Sequence, residues 1–278
     1  LMEYIEIDIR LKLANPYAEI FIARLNEIKY ESFSTDKGGL KAYIRSDLFN
    51  KKKLTEIVDD ISSFTKIDLS INAIKKENWN ADWENNYSPV HINKDCVIRA
   101  HFHDRFPNIE HEIIITPKMS FGTGHHETTF LVMNQIFELN LEGKQVLDIG
   151  SGTGVLSILA SKLGAKKIVG IDIDKWAYEN AIENSKLNNI SNIQFIEGTA
   201  ESIGKKMYDV VLANINRNII LADIQKYTRA MRPKSDIILS GFLKQDVKII
   251  INKIKQLKFN LVASKNKNKW QMLHLRRV

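Results

Sequence analysis

The segment Val146-Leu147-Asp148-Ile149-Gly150-Ser151-Gly152-Thr153-Gly154 gathers residue types that let a main chain approach a ligand closely. Glycine turns tightly and puts no Cβ between backbone and ligand. A dinucleotide site of the form Gly-x-Gly-x-x-Gly needs glycine at position 155, where Val155 stands. The acid two residues before the first glycine, Asp148, would repel a pyrophosphate. It suits the cationic amino group of a methionine moiety, directly or through water. The pattern Asp-x-Gly-x-Gly-x-Gly therefore predicts an S-adenosyl-L-methionine site rather than an NAD site, with Gly150 and Gly152 at the contact.

Further positions extend this site along the chain. Asp172 in Gly170-Ile171-Asp172-Ile173-Asp174 lies about 20 residues after Gly150, the separation at which a carboxylate meets ribose hydroxyls in nucleoside-binding folds. Asp174 is a secondary candidate, or a cap for the helix beginning near Lys175. Glu197-Gly198-Thr199-Ala200-Glu201 falls where adenine should lie, which makes Thr199 a candidate although many such enzymes carry Asp there. Asn214, after Val211-Leu212-Ala213, is polar at the end of an apolar strand. Its carbonyl can accept a hydrogen bond from a substrate amine and orient the lone pair; the competing role is an N-cap. Upstream, Phe121-Gly122-Thr123-Gly124-His125-His126-Glu127-Thr128-Thr129 forms a second glycine-rich loop before a helix, able to fold over the cofactor. His101, His103, His125 and His126 invite a metal site, but without His-Glu-x-x-His spacing or supporting cysteines none is expected.

The elements that must hold these residues follow from hydrophobic periodicity. Strands are expected at Gln145–Ile149, Lys167–Ile171, Ile193–Ile196, Asp209–Ala213 and Asp236–Ser240. Helical patterns occupy 155–163, 175–188, 217–230 and 244–257. Regular alternation of this kind predicts an α/β, Rossmann-like, doubly wound parallel sheet. Phe259–Ala263 and Trp270–Leu275 bracket polar residues 264–268 as a terminal hairpin, making the last strand antiparallel. Residues 1–75 read as a separate small α+β domain, a β-α-β-α-β succession with Tyr4–Ile9, Leu40–Ile44 and Ile67–Ile74 as strands. Residues 76–95 read as a linker in which Trp79, Trp83 and Tyr87 share one side of a short helix ended by Pro89, and 96–278 read as the domain that would hold S-adenosylmethionine.

With 278 residues, 44% hydrophobic and 26% charged, the chain suits one Rossmann-sized domain plus an appendage. Its single cysteine, Cys96, excludes an internal disulfide. No stretch approaches the roughly 20 apolar residues of a membrane span, and Leu1-Met2-Glu3-Tyr4 opens no signal-peptide pattern. A cytoplasmic monomer is the simplest expectation. The net charge of +7 is concentrated at the end: residues 244–278 hold ten Lys or Arg against Asp246 alone, while 1–243 carry −2. Such a tail can make a weak contact with ribosomal RNA. The plainer account is a solvated outer face, favoured because no aromatic residues interleave the lysines.

These glycine loops, with Gly170-Ile171-Asp172-Ile173-Asp174 and Ala213-Asn214-Ile215, make the chain resemble the bacterial ribosomal protein L-eleven methyltransferases. The resemblance is carried most specifically by Phe121-Gly122-Thr123-Gly124, a loop not general to methyltransferases. It spans about 116–241 strongly, continues through Trp270, and is only architectural before residue 79. It implies S-adenosylmethionine contacts at Thr129, Gly150, Asp172 and Asn214, and a ferredoxin-like N-terminal domain that recognises the ribosomal protein. It also implies repeated methylation of that protein's N-terminal amine and lysines. Two departures touch the substrate side: Glu127 replaces a usual proline, and Asn216-Arg217-Asn218 replace small apolar residues. The rivals are a methyltransferase for another protein, RNA or small amine, and a non-catalytic ribosome-binding protein that keeps the cofactor fold.

Overall fold

The computed structural model describes residues 4–74, 87–118 and 120–278. The chain divides into two compact units, residues 1–84 and 85–278. The aromatic stripe expected at Trp79 and Trp83 lies outside the described residues; Tyr87 is described and is not helical.

In the first unit, β1 (Tyr4–Leu11), α1 (Tyr17–Glu27), β2 (Ser32–Asp36), β3 (Gly39–Arg45), α2 (Lys51–Ser62) and β4 (Ile67–Ile74) build an antiparallel sheet of order β2-β3-β1-β4. Strand and helix order together are those of a split β-α-β unit. Alternation in β1 buries Ile7 and Ile9 beneath Phe21 and Leu25 of α1 and Leu54, Ile57 and Ile61 of α2. Each such side chain removed from water contributes about 1.5–3 kcal/mol. Asn50 caps α2 by accepting from the Lys53 amide at 3.2 Å. Strand β2 escapes the periodicity because Ser-Phe-Ser-Thr-Asp is an edge with little to bury.

The second unit begins with a small sheet of β5 (Val90–Asn93), β6 (Cys96–Ala100) and β7 (His111–Ile115). Then α3 (Glu127–Ile136) leads into the alternating region: β8 (Gln145–Ile149), α4 (Val155–Lys162), β9 (Lys167–Asp172), α5 (Lys175–Leu187), β10 (Ile193–Glu197), β11 (Tyr208–Asn214), α6 (Arg217–Arg229), β12 (Met231–Leu243), α7 (Val247–Ile254), β13 (Phe259–Lys267) and β14 (Trp270–Arg277). The seven-stranded sheet has order β10-β9-β8-β11-β12-β14-β13. The first five run parallel, and β14 lies antiparallel between β12 and β13. Strand order reverses at β8, which pairs with β9 on one side and β11 on the other. Ligands bind beyond the carboxyl ends of strands at such a point.

Two expectations need correction. Residues 264–267, read as a polar loop, continue β13, and only Asn268 and Lys269 turn. The helix expected over 244–257 is shortened to Val247–Ile254 between two 3₁₀ turns. Asp246 explains the first break: it accepts from the Leu243 amide at 3.0 Å and from Arg217 Nη1 at 2.6 Å.

Candidate active site

The two glycine-rich loops hold each other at the carboxyl end of β8. Thr153 donates from its amide to the Phe121 carbonyl at 2.9 Å and from Oγ1 to the Gly122 carbonyl at 2.6 Å. Gly152 has φ +54, and a Cβ there would stand 2.2 Å from the Phe121 carbonyl oxygen. Only glycine lets the loops approach this far. Asn184 of α5, fully buried, extends the brace by accepting from the Thr116 amide at 2.8 Å and donating to the Thr153 carbonyl at 2.9 Å. Nothing in the sequence singled out Asn184, since one Asn in an amphipathic helix carries no signal.

Above these loops lies a cavity of about 690 Å³, large enough for a nucleoside with an amino-acid arm. It is bordered by Phe121, Gly150, Gly152, Asp172, Thr199 and Asn214, so six of the predicted site residues meet there. Asp172, at the end of β9, accepts from the Gly152 amide at 2.8 Å and from the Asp174 amide at 3.0 Å. Asp174 caps α5 through the Trp176 amide at 2.8 Å and also borders the cavity. Thr199 caps a 3₁₀ turn through the Glu201 amide at 3.3 Å.

Four predicted residues stand off the cavity wall. Gly122 and Thr123 shape the loop: the first accepts from Thr153, and the second pairs with His125 at 3.2 Å. Thr129 is fully buried one layer behind, where Asn214 Nδ2 donates to its Oγ1 at 3.4 Å. Asp148 departs most from expectation. It is fully buried and does not border the cavity. Its Oδ2 accepts from Ser157 Oγ at 2.7 Å, which braces α4, and its Oδ1 is buried without a hydrogen-bond partner. Burial, reinforced by the Asp172 charge and opposed by Ser157, pushes its carboxyl up to about 7.

Asn214 does not serve as the cap. That task falls to Asn216, whose Oδ1 accepts from the Asn218 and Ile219 amides at 3.0 and 3.1 Å. Asn214, Ser120 and Tyr227 border the cavity, and Asn214 Oδ1, Ser120 Oγ and the Tyr227 hydroxyl are buried with no hydrogen-bond partner. Buried polar atoms are normally paired; three orphans on one cavity wall fit a ligand rich in donors and acceptors. Sequence reasoning missed Ser120 and Tyr227, and also Trp270, whose ring meets His126 edge-on at 4.7 Å. His126 accepts from the Thr128 amide at Nδ1.

The other histidines serve separate contacts, His103 with the Ala100 amide and His125 with the Ser88 carbonyl. Among the described residues no three His, Cys, Asp or Glu side chains are placed to hold a metal ion. A second cavity of about 280 Å³, bordered by Arg105, Glu112 and Lys162, shares no residue with the first.

A parallel sheet reversing at β8, an antiparallel seventh strand, paired glycine loops and an acid ending β9 define a class I methyltransferase fold and site. Comparison with known proteins narrows the class. The family model described as Ribosomal protein L11 methyltransferase (PrmA) matches residues 15–278, and the chain belongs to this family. It is 41% identical over 273 residues to the ribosomal protein L11 methyltransferase of Phocaeicola vulgatus, covering 97% of each chain. Against that of Chlorobaculum tepidum it is 33% identical over 287 residues, covering 95% of this chain and 94% of the relative. A crystal structure of ribosomal protein L11 methylase from Lactobacillus delbrueckii subsp. bulgaricus matches with TM-score 0.65 and 26% identity, over 69% of this chain and all of that one.

Proposed function

We propose that the chain is an S-adenosylmethionine-dependent N-methyltransferase whose acceptor is ribosomal protein L11, at its N-terminal amine and lysine side chains. The observation that carries the reading is Asn214, which borders the cavity at the carboxyl end of β11 and whose buried Oδ1 has no hydrogen-bond partner. A carbonyl there can accept from an amine N–H and aim the nitrogen lone pair. Positioning of this kind lowers a barrier without covalent participation by the protein.

Asp172 would hold the ribose hydroxyls, since two backbone donors fix its carboxylate while lone pairs remain. Gly150 and Gly152 would bring the backbone against the methionine arm, and Thr199 lies on the adenine side. When bound, S-adenosylmethionine supplies a methyl on a sulfonium, a leaving group that needs no acid. The acceptor must arrive as a free amine. Ile215, Phe121 and Trp270 border the cavity with apolar surface that disfavours an ammonium and lowers its pKa. A dedicated strong base is not required.

Residues 1–75 would recognise the ribosomal protein, 76–95 would link, and 96–278 would carry the reaction, in a cytoplasmic monomer. No helix among the described residues is long and apolar enough to cross a membrane. A contact between ribosomal RNA and the basic C-terminal region is weakened by internal commitments there. Lys265 pairs with Glu138 at 2.5 Å, Arg276 with Asp236 at 2.8 Å, and Lys267 lies 3.3 Å from the centre of the Phe130 ring.

The test is transfer of labelled methyl to whole ribosomal subunits, followed by separation of protein from RNA. Label in a single large-subunit protein supports the reading. Label in RNA, or cofactor binding with no labelled ribosomal component, sinks the acceptor assignment.

A further inference from the structure

The turn between β13 and β14 is fastened on two sides. Asn268, in the left-handed region at φ +53, donates from Nδ2 to Glu127 Oε1 at 2.8 Å. Across the turn, the Lys269 carbonyl accepts from the Lys244 amide at 2.9 Å. Two residues after Asn268, Trp270 borders the cavity and meets His126, the neighbour of Glu127. The same hairpin is seated farther along by Lys267 over the Phe130 ring of α3 and by Lys265 on Glu138, just beyond that helix. Glu127 is flanked in sequence by His126 and Thr128, both of which border the cavity. The hydrogen bond from Asn268 holds the Glu127 carboxyl below its usual range.

We propose that Glu127 is a positioning residue: by gripping Asn268 it holds the hairpin tip so that Trp270 stays on the acceptor side of the cavity against His126. The inference rests on the methyltransferase reading for its kinetic consequence and on geometry alone for its structural one.

The experiment compares Glu127→Gln, Glu127→Ala, Asn268→Ala and the Glu127→Ala/Asn268→Ala double variant in the full-length chain. Glutamine keeps the carbonyl that accepts from Asn268, whereas alanine removes it. Amide hydrogen exchange over residues 264–272 is expected to quicken about threefold to tenfold in both alanine variants and to stay near wild type in Glu127→Gln. KM for the protein acceptor is expected to rise by a similar factor of about three to ten, with kcat and cofactor affinity within about twofold. The double variant should be no worse than either single one, as for two partners of one bond. Equal loss in Glu127→Gln and Glu127→Ala, additive effects in the double variant, or a loosened turn with unchanged KM each overturns the proposal. Absence of methyl transfer by the wild-type protein would instead strike the functional reading, and the exchange data would still decide whether Glu127 grips the turn.

Discussion

Asn214 Nδ2 donates to Thr129 Oγ1 at 3.4 Å, and this bond fixes which way the Asn214 amide faces. With its NH₂ on a buried threonine, the carbonyl is left buried without a hydrogen-bond partner, on a residue that borders the cavity. Two residues 85 apart in sequence thus leave one unpaired acceptor on a residue of the cavity wall. Asn214→Ala is expected to lower kcat about 100-fold by misplacing the amine. Thr129→Val, which removes only the orienting partner, should cost about tenfold. Cofactor affinity in Thr129→Val should stay near wild type by calorimetry; equal kcat for wild type and both variants would remove Asn214 from the mechanism.

Asp172 spends lone pairs on two amides and keeps others for a ligand. Asp172→Asn should raise the dissociation constant for S-adenosylhomocysteine about 10- to 100-fold, the range for a hydrogen bond to a charged group. Titration calorimetry measures this. An unchanged constant would show that ribose is held elsewhere.

Gly152→Ala combines φ +54 with a Cβ 2.2 Å from the Phe121 carbonyl oxygen. The left-handed strain alone costs about 1–3 kcal/mol, and relief of the clash must separate the loops. Lower Tm together with loss of cofactor binding is expected. Gly143→Ala is the control, because its φ is +71 but nothing lies within 4 Å of a Cβ there. It should lower Tm modestly and leave binding intact.

The raised pKa of Asp148 links stability to pH. The folded state holds the proton up to about 7, whereas the unfolded carboxyl releases it near its ordinary value of 3.8. Between those values the folded state binds more protons, so this group's contribution to stability falls as pH rises through the window and is level above it. Asp148→Asn should flatten that part of the Tm–pH curve. An identical slope in wild type and variant would mean that the carboxyl titrates normally.

Legibility in the sequence followed burial. Strands β8 and β9 showed because both faces of a central parallel strand are covered, which leaves an apolar run bounded by glycine or acid. Asp172 and Asn214 could be placed because each breaks such a run at its carboxyl end. Edge strands gave no such mark: β2 and the far half of β13, Ser264 to Lys267, are polar and are held by pairing with β3 and β14. Spacing could not reveal that Asp148 is fully buried with one oxygen on Ser157, because an acid two before a glycine has the same pattern either way. Trp270 reaches the cavity only through the antiparallel placement of β14, a long-range contact that no local window contains.

In the proposed reaction the Asn214 carbonyl positions an amine of ribosomal protein L11 for methyl transfer. Its most direct test is intact-mass spectrometry of purified L11 incubated with S-adenosylmethionine and either wild-type chain or Asn214→Ala. Stepwise methyl additions with wild type, at a rate about 100-fold lower with the variant, are the predicted result. L11 of unchanged mass after incubation with wild type that binds the cofactor, or equal rates for wild type and variant, would contradict the account.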